Sequence, residues 1–294
     1  MRDSLIAITG ATGNVGSRVA KLLAARGERQ RLIVRDADRA PQLEGAEVSV
    51  VSGYAATDEL RRAVQGAETV FLIPAHESAT RVAEHASAVD AIVAAGVHRL
   101  VYLSWVNASP DLVFTFGRHH FATEQHIRAS GIPFTFLRMP FYVDVIPSLV
   151  GADGIISGPA GDGRVAAVLR DDIAESAVAT LLGEGHVGKT YNLTGSEAFT
   201  FTEAAKVMSR VSGKSIRFHN ETMDEAYASR AKYGAPDWEV DGWVTTYAGV
   251  AANELSRVSD DVRILTGREP GSLTRYVETN PDSLAHVVSS PAPE

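Results

Sequence analysis

Cysteine is absent from this sequence of 294 residues, and its absence excludes several chemistries. Without a thiol the chain can form no disulfide, use no thiolate nucleophile and offer no cysteine ligand to a metal. Disulfide-free chains are typical of the reducing cytoplasm, so we expect a cytoplasmic location.

Positive charge is also scarce. The chain has 28 Lys and Arg residues but 36 Asp and Glu residues, which gives a net charge of −8. A nucleic-acid binder needs a basic surface, so we do not expect nucleic acid as a partner. No apolar run reaches the roughly 20 residues of a membrane-spanning helix, and no basic amphipathic stretch suggests a membrane surface as partner. Residues 1–10 lead directly into an apolar strand pattern, so we expect no signal peptide.

Metal-ligand spacing is missing as well. The sequence has nine histidines, and His76 with Glu77 resembles the start of a zinc motif. The second histidine of that motif would have to stand at position 80, which is Thr80. We therefore expect no metal site.

Three glycines at three-residue spacing stand near the start, between an apolar strand pattern (5–9) and an amphipathic helix pattern. Gly10 permits a tight turn, Gly13 leaves room for phosphates beside the backbone, and Gly16 lets the helix lie close to the sheet. Amides at the start of a helix attract negative charge. The pattern predicts a dinucleotide site, and the alternative is a tight turn that binds nothing.

Short apolar runs alternate with helical patterns through the first half, which predicts an α/β fold with a doubly wound parallel sheet. Strands are expected at 31–35, 47–51, 69–73, 99–103 and 133–137, and helices near 78–95 and 117–130. We expect a nucleotide-binding domain over 1–150.

The second half is less regular and predicts a small α/β lobe that covers the substrate over 151–288, with some segments rejoining the sheet. Expected are a helix near 171–183, a strand at 190–193, a helical stretch at 223–258 and a short helix within 262–279. Thr200 and Glu203 form a capping-box pattern for a helix that ends at Gly213. Residues 289–294 are expected to form a flexible tail.

The end of the second strand should distinguish NAD from NADP. An acidic residue there binds the ribose 2′-hydroxyl of NAD, whereas an arginine accommodates the 2′-phosphate of NADP. Arg35 stands at this position and Arg39 follows one turn later, so we expect NADP(H). Asp36 could favour NAD, but it could also cap the following turn.

Several motifs together resemble the NmrA-like atypical short-chain dehydrogenases, in particular the branch of NAD(P)H:quinone oxidoreductases and triphenylmethane reductases. The matching segments are 10–16, 34–36, 96–104, Glu124 with 130–138, 170–174, 188–195 and 265–270. The resemblance covers nearly the whole chain. It implies a Rossmann domain, a small C-terminal lobe and a substrate cleft between them.

The cofactor contacts that the resemblance implies run from the pyrophosphate through the 2′-phosphate and the adenosine to the nicotinamide. In that order they are Thr12, Asn14 and Val15; Arg35; Ile73 and Pro74; and Ser104, Pro140 and Tyr142. Gly53 stands where relatives often carry an aspartate, so the sequence departs from the family at an adenine contact.

The Tyr-x-x-x-Lys pair of ordinary short-chain dehydrogenases is missing, because no tyrosine here has a lysine four residues later. Counted back from Glu124, the equivalent positions are Phe116 and His120. The usual acid for alcohol–ketone interconversion is therefore absent. His120 is the candidate proton donor, because a histidine near its unperturbed pKa of about 6.5 can donate a proton, and the alternative is a polar residue at the edge of the cleft.

These features predict an NADPH-dependent reductase that passes a hydride to a small conjugated acceptor, such as a quinone or a related aromatic. Such a transfer needs little proton assistance, so positioning supplies most of the acceleration. Two alternatives stay open: reduction of a C=C or C=N bond in a secondary metabolite, and a redox sensor that binds NADP(H) without turnover. We expect a monomer or a homodimer.

Five aromatic residues of the second half are expected either to pack its helices or to form a wall over a flat substrate. They are Tyr227, Tyr233, Trp238, Trp243 and Tyr247.

Overall fold

A sheet of seven parallel strands forms the centre of the computed structural model, which describes residues 4–288. The strands are β1 (Ile6–Thr9), β2 (Gln30–Val34), β3 (Ala46–Val50), β4 (Thr69–Leu72), β5 (Arg99–Trp105), β6 (Phe134–Met139), β7 (Ile155–Gly158), β8 (Thr190–Asn192) and β9 (Arg217–Asn220). The large sheet has the order β3-β2-β1-β4-β5-β6-β8, and β7 pairs with β9 in a small parallel sheet. The order reverses between β1 and β4, and ligands bind at such reversals in open α/β sheets.

Ten α-helices accompany the strands in the described part of the chain. They are α1 (Asn14–Ala24), α2 (Thr57–Val64), α3 (Arg81–Ala94), α4 (Thr115–Ser130), α5 (Arg170–Leu182), α6 (Phe201–Ser212), α7 (Met223–Arg230), α8 (Asp237–Ala251), α9 (Asp261–Thr266) and α10 (Leu273–Thr279). Helix α1 packs on α5, and α3 packs between α2 and α4. No helix among residues 4–288 combines the length and the apolarity that crossing a membrane would require.

Two hydrophobic cores cover the two faces of the sheet, because neighbouring residues of a strand point to opposite sides. On β5, Val101 and Leu103 join the core that holds α1 and α5. Leu100 and Tyr102 join the core beneath α2 and α3. The doubly wound parallel sheet expected from the alternation of strands and helices is confirmed.

The second half contributes both to the large sheet and to the core beneath α1. Strand β8 pairs with β6, with Leu137 opposite Tyr191. Val178 of α5 and Leu273 of α10 belong to the same core as Val19 of α1. The division of the chain at residue 150 stays a prediction.

Local turn chemistry explains which helix expectations hold. The Thr200 hydroxyl accepts from the Glu203 amide at 3.0 Å, the Glu203 carboxylate accepts from the Thr200 amide, and α6 ends at Gly213 as expected. The helical stretch expected at 223–258 consists of α7 and α8, which are separated because Gly234 is left-handed (φ +61°) and Pro236 follows it. The short helix expected within 262–279 is two helices, separated by Gly267 at φ +74°. The expected tail at 289–294 lies outside the described residues.

Candidate functional site

A cleft of about 480 Å³ opens over the carboxyl ends of β1, β4, β5 and β6. The glycine loop and the start of α1 form one end, and residues 73–77 after β4 form the adjoining wall. The other wall combines the ends of β5 and β6, α4 with the residue before it, the segment after β6, the start of α5, and α8. Its lining residues are Trp105, Phe114, Phe116, His120, Met139, Phe141, Tyr142, Val145, Arg170, Gly242, Trp243 and Thr246.

The glycine loop is held by contacts of its own backbone. Gly10 is left-handed (φ +60°), and its carbonyl accepts from the Gly13 amide at 2.9 Å. A Cβ on Gly16 would lie 2.3 Å from that carbonyl oxygen, so no larger residue fits while α1 stays this close to β1. Helix α1 begins without a side-chain cap and without an acidic residue in its first turn. Such a helix start fits a pyrophosphate, because its amides and dipole attract an anion.

Arg35 and Arg39 are exposed beyond the end of β2, outside the cleft itself. Neither side chain makes a hydrogen bond or an ion pair with any residue from 4 to 288. Asp36 accepts a hydrogen bond from the Asp38 amide at 3.0 Å, so it caps the following 3-10 turn as the alternative predicted. The arginines therefore fit the 2′-phosphate of NADP. A Cβ on Gly53 would meet no atom within 4 Å.

The predicted site residues divide into two groups. Those that line the cleft are Gly10, Gly13, Asn14, Val15, Gly16, Ile73, Pro74, His120 and Tyr142. Those outside its lining are Thr12, Arg35, Ser104 and Pro140. The cofactor contacts of both groups stay predictions.

Ser104 is fully buried, and its hydroxyl forms a hydrogen bond with a carboxylate of the protein. The hydroxyl donates to Oε1 of Glu124 at 2.6 Å. Arg138 donates to both oxygens of the same carboxylate, at 2.8 and 2.5 Å. The three side chains connect β5, α4 and β6. Ser104 therefore has a structural function, which does not depend on a contact with the cofactor.

His120 lies on the cleft wall and is 4% exposed. Its Nε2 is 3.5 Å from Nη2 of Arg81, and its Nδ1 is 3.0 Å from the hydroxyl of Tyr102. Because a guanidinium can only donate, Nε2 is the acceptor and Nδ1 carries the proton. Burial, and then the Arg81 charge, hold the pKa of His120 well below its usual value. The imidazole is therefore neutral at neutral pH, and its function as a proton donor stays a prediction.

One of the five aromatic residues of the second half lines the cleft, namely Trp243 on α8. Tyr233 packs edge-on against it, with ring centroids 5.8 Å apart. Trp238 packs on Phe116, and Tyr247 packs on Phe201. Trp238 and Tyr247 therefore support the packing interpretation and Trp243 the wall interpretation, whereas Tyr227 and Tyr233 are 37% and 64% exposed.

Arg81, the first residue of α3, is a lining residue that sequence reasoning missed. It is 4% exposed, and its Nε donates to the Ala75 carbonyl at 3.1 Å. An arginine in the first turn of a helix is usually solvated, so the sequence offers no signal for its burial. No cluster of three metal-binding side chains occurs among residues 4–288.

The model of the NmrA-like family matches residues 2–230. The chain belongs to the NmrA-like family. Over 279 residues it is 31% identical to quinone oxidoreductase 2 of Escherichia coli, covering 93% of this chain and 97% of the relative. The crystal structure of that NADPH-dependent enzyme in complex with NADPH superposes with a TM-score of 0.86, covering 93% of this chain and 99% of the other.

Two other relatives of this NmrA-like protein are also reductases. The (4-alkanoyl-5-oxo-2,5-dihydrofuran-3-yl)methyl phosphate reductase of Streptomyces griseus is 38% identical over 242 residues, covering 79% of this chain and 83% of the relative. The Citrobacter triphenylmethane reductase complexed with NADP(H) is 31% identical with a TM-score of 0.83, covering 93% of this chain and 99% of that structure.

Proposed function

We propose that this NmrA-like protein is an NADPH-dependent reductase that transfers a hydride to a small conjugated acceptor, quinone-like or otherwise aromatic. The observation that carries the proposal is one continuous cleft with a phosphate-binding helix start at one end and an aromatic wall beside it. Relatives that match over most of their length are a quinone oxidoreductase and a triphenylmethane reductase, both crystallised with the cofactor.

The residues fit the two charged parts of NADP(H). The amides of α1 near Gly13 would hold the pyrophosphate, and Arg35 with Arg39 would hold the 2′-phosphate. When bound, the reduced nicotinamide supplies the hydride. The contribution of the chain is to fix the acceptor against that ring and to exclude water.

The acceptor side of the cleft is built for a flat apolar molecule. Trp105 and Phe114 pack with ring centroids 4.6 Å apart, and Phe116 and Trp243 extend the aromatic surface across α4 and α8. Phe116 and His120 stand where the Tyr-x-x-x-Lys pair would stand, and His120 is neutral. Protonation of the product is therefore assigned to solvent.

A second candidate is reduction of a C=C bond in a conjugated ring. The Streptomyces griseus relative favours it, since the substrate in its name is a 5-oxo-2,5-dihydrofuran. Hydride addition to such a ring also places negative charge on a carbonyl oxygen, so the same cleft serves both acceptors. The cytoplasmic location and the monomeric or dimeric state remain proposals.

The test is NADPH oxidation by the purified protein with a set of naphthoquinones, a 5-oxo-2,5-dihydrofuran and no acceptor. We expect turnover with at least one quinone and slower turnover with NADH. A protein that binds NADPH and NADP⁺ but oxidises neither class of acceptor would be the sensor, and the proposal would be wrong.

A further inference from the structure

Two residues of the cleft wall each carry a buried hydrogen-bond donor that has no partner among residues 4–288. Six buried side-chain polar atoms lack a partner in this part of the chain. Two of the six belong to residues that line the cleft, Nη1 of Arg81 and Nε1 of Trp105. Guanidinium and indole nitrogens can donate but cannot accept. Buried donors are almost always paired, so this pair points to an acceptor atom supplied by a ligand.

The charge of Arg81 is also uncompensated. No carboxylate of the described residues lies within ion-pair distance of its guanidinium, although Glu77 lines the same cleft. Arg170, which lines the cleft too, donates to Asp144 at 2.7 Å. An isolated buried cation is costly, and an anionic oxygen from outside the protein would relieve the cost.

His120 connects the two donors. Its Nε2 contacts Nη2 of Arg81, and its ring stacks against Trp105 with centroids 6.4 Å apart. Because the imidazole is neutral and Arg170 is paired with Asp144, the unpaired positive charge on this wall comes from Arg81. The surrounding aromatic rings keep the local dielectric low, which strengthens the effect of that charge on a bound molecule.

We infer that Arg81 and Trp105 hold the oxygen of the acceptor on which negative charge develops during reduction. The inference rests on the proposed function. One quinone, one NADPH and one proton give one hydroquinone and NADP⁺. The hydride brings the electron pair to the quinone, an electron pair moves onto a carbonyl oxygen, and solvent protonates the product. The anionic groups of the cofactor are matched by the start of α1 and by Arg35 and Arg39, so they do not need Arg81.

The test compares two acceptors that differ in product charge. A neutral naphthoquinone develops an anionic oxygen on hydride transfer, whereas a cationic triarylmethane dye becomes neutral. For Arg81→Met we expect kcat with the quinone to fall about 100-fold, the scale of a lost oxyanion donor. For Trp105→Phe, which keeps an aromatic side chain but removes the indole N–H, we expect a fall of about tenfold. With the dye, kcat should change less than about threefold in either variant.

Controls separate this function from packing. Arg61→Met removes a surface arginine of α2 and should leave both rates unchanged. Arg81→Lys should restore part of the quinone rate, because it keeps the charge. The dissociation constant of NADPH, measured by calorimetry, should stay within about twofold in all variants. If Arg81→Met does not fold, the conservative Trp105→Phe carries the test.

Equal losses with quinone and dye, or a large loss of NADPH affinity, would overturn the inference. A third contrary result comes from a sulfonated naphthoquinone. If Arg81→Met raises KM for that acceptor and leaves kcat unchanged with both quinones, the arginine binds a permanent acid rather than a developing charge. A wild-type protein that reduces neither quinone nor dye would instead refute the proposed function.

Discussion

Replacing Gly16 with alanine tests how closely the glycine loop and α1 must approach each other. The added Cβ would lie 2.3 Å from the Gly10 carbonyl oxygen, whereas ordinary contacts begin at 3.4 Å. The helix start must therefore move by about 1 Å. Such overpacking costs about 1–3 kcal/mol, and the better helix propensity of alanine returns up to about 1 kcal/mol. We expect a net loss of about 1–2 kcal/mol in the free energy of unfolding.

The same displacement should weaken NADPH binding. Each hydrogen bond from an amide to a charged phosphate is worth about 1.5–3 kcal/mol, so misplacing one of them lowers the affinity about 10- to 100-fold. Urea unfolding and calorimetric titration with NADPH measure the two effects. Gly53→Ala is the matched control for stability, because its Cβ would meet nothing within 4 Å. A Gly16→Ala variant with unchanged stability and NADPH affinity would refute the reasoning.

Three further predictions concern the cofactor, the acceptor and pH. Arg35→Ala should weaken NADPH binding about tenfold and leave NADH binding unchanged in calorimetry, and equal losses would contradict the 2′-phosphate contact. Trp243→Ala should raise KM for a flat quinone about two- to tenfold without changing NADPH affinity, and an unchanged KM would mean that this ring does not contact the acceptor. Burial, and then the Arg81 charge, lower the pKa of His85 to about 3. The unfolded chain binds a proton at this residue below about pH 6.5 and the native state does not, so stability falls as pH decreases from 6.5 towards 3. By about pH 5 this histidine should cost about 2 kcal/mol, a loss that urea unfolding should show in wild type and that His85→Gln should reduce. An unchanged pH dependence in His85→Gln would contradict the assignment.

The sequence predicted those parts of the fold that a pattern within one short segment indicates. The inner strands β1, β4 and β5 of the large sheet are nearly continuous apolar runs, because they are buried on both faces, whereas the edge strands β3 and β8 are partly exposed. The glycine loop was recognisable because a strand pattern precedes it and an amphipathic helix pattern follows it. Helix α2 was missed because it is a short, charged segment, and β9 because three of its four residues are exposed.

The candidate site was predictable where it depends on one segment and not where it depends on several. The glycine loop is contiguous in sequence, so residues 10–16 could be assigned to the cofactor. The contact between Arg81 and His120 joins α3 and α4 across 39 residues, and no spacing rule brings them together. The low pKa of His120 follows from that contact and from burial, neither of which one segment reveals. The structural function of Ser104 likewise depends on Glu124 and Arg138, which lie in two other elements.

The most direct test of the account is a single turnover with the protein in excess over NADPH, mixed anaerobically with a naphthoquinone. We expect the absorbance of the bound reduced nicotinamide to disappear, with one hydroquinone formed for each NADPH consumed. If bound NADPH persists unchanged in the presence of every quinone and dihydrofuran tested, the protein binds the nucleotide without transferring a hydride, and the account is wrong.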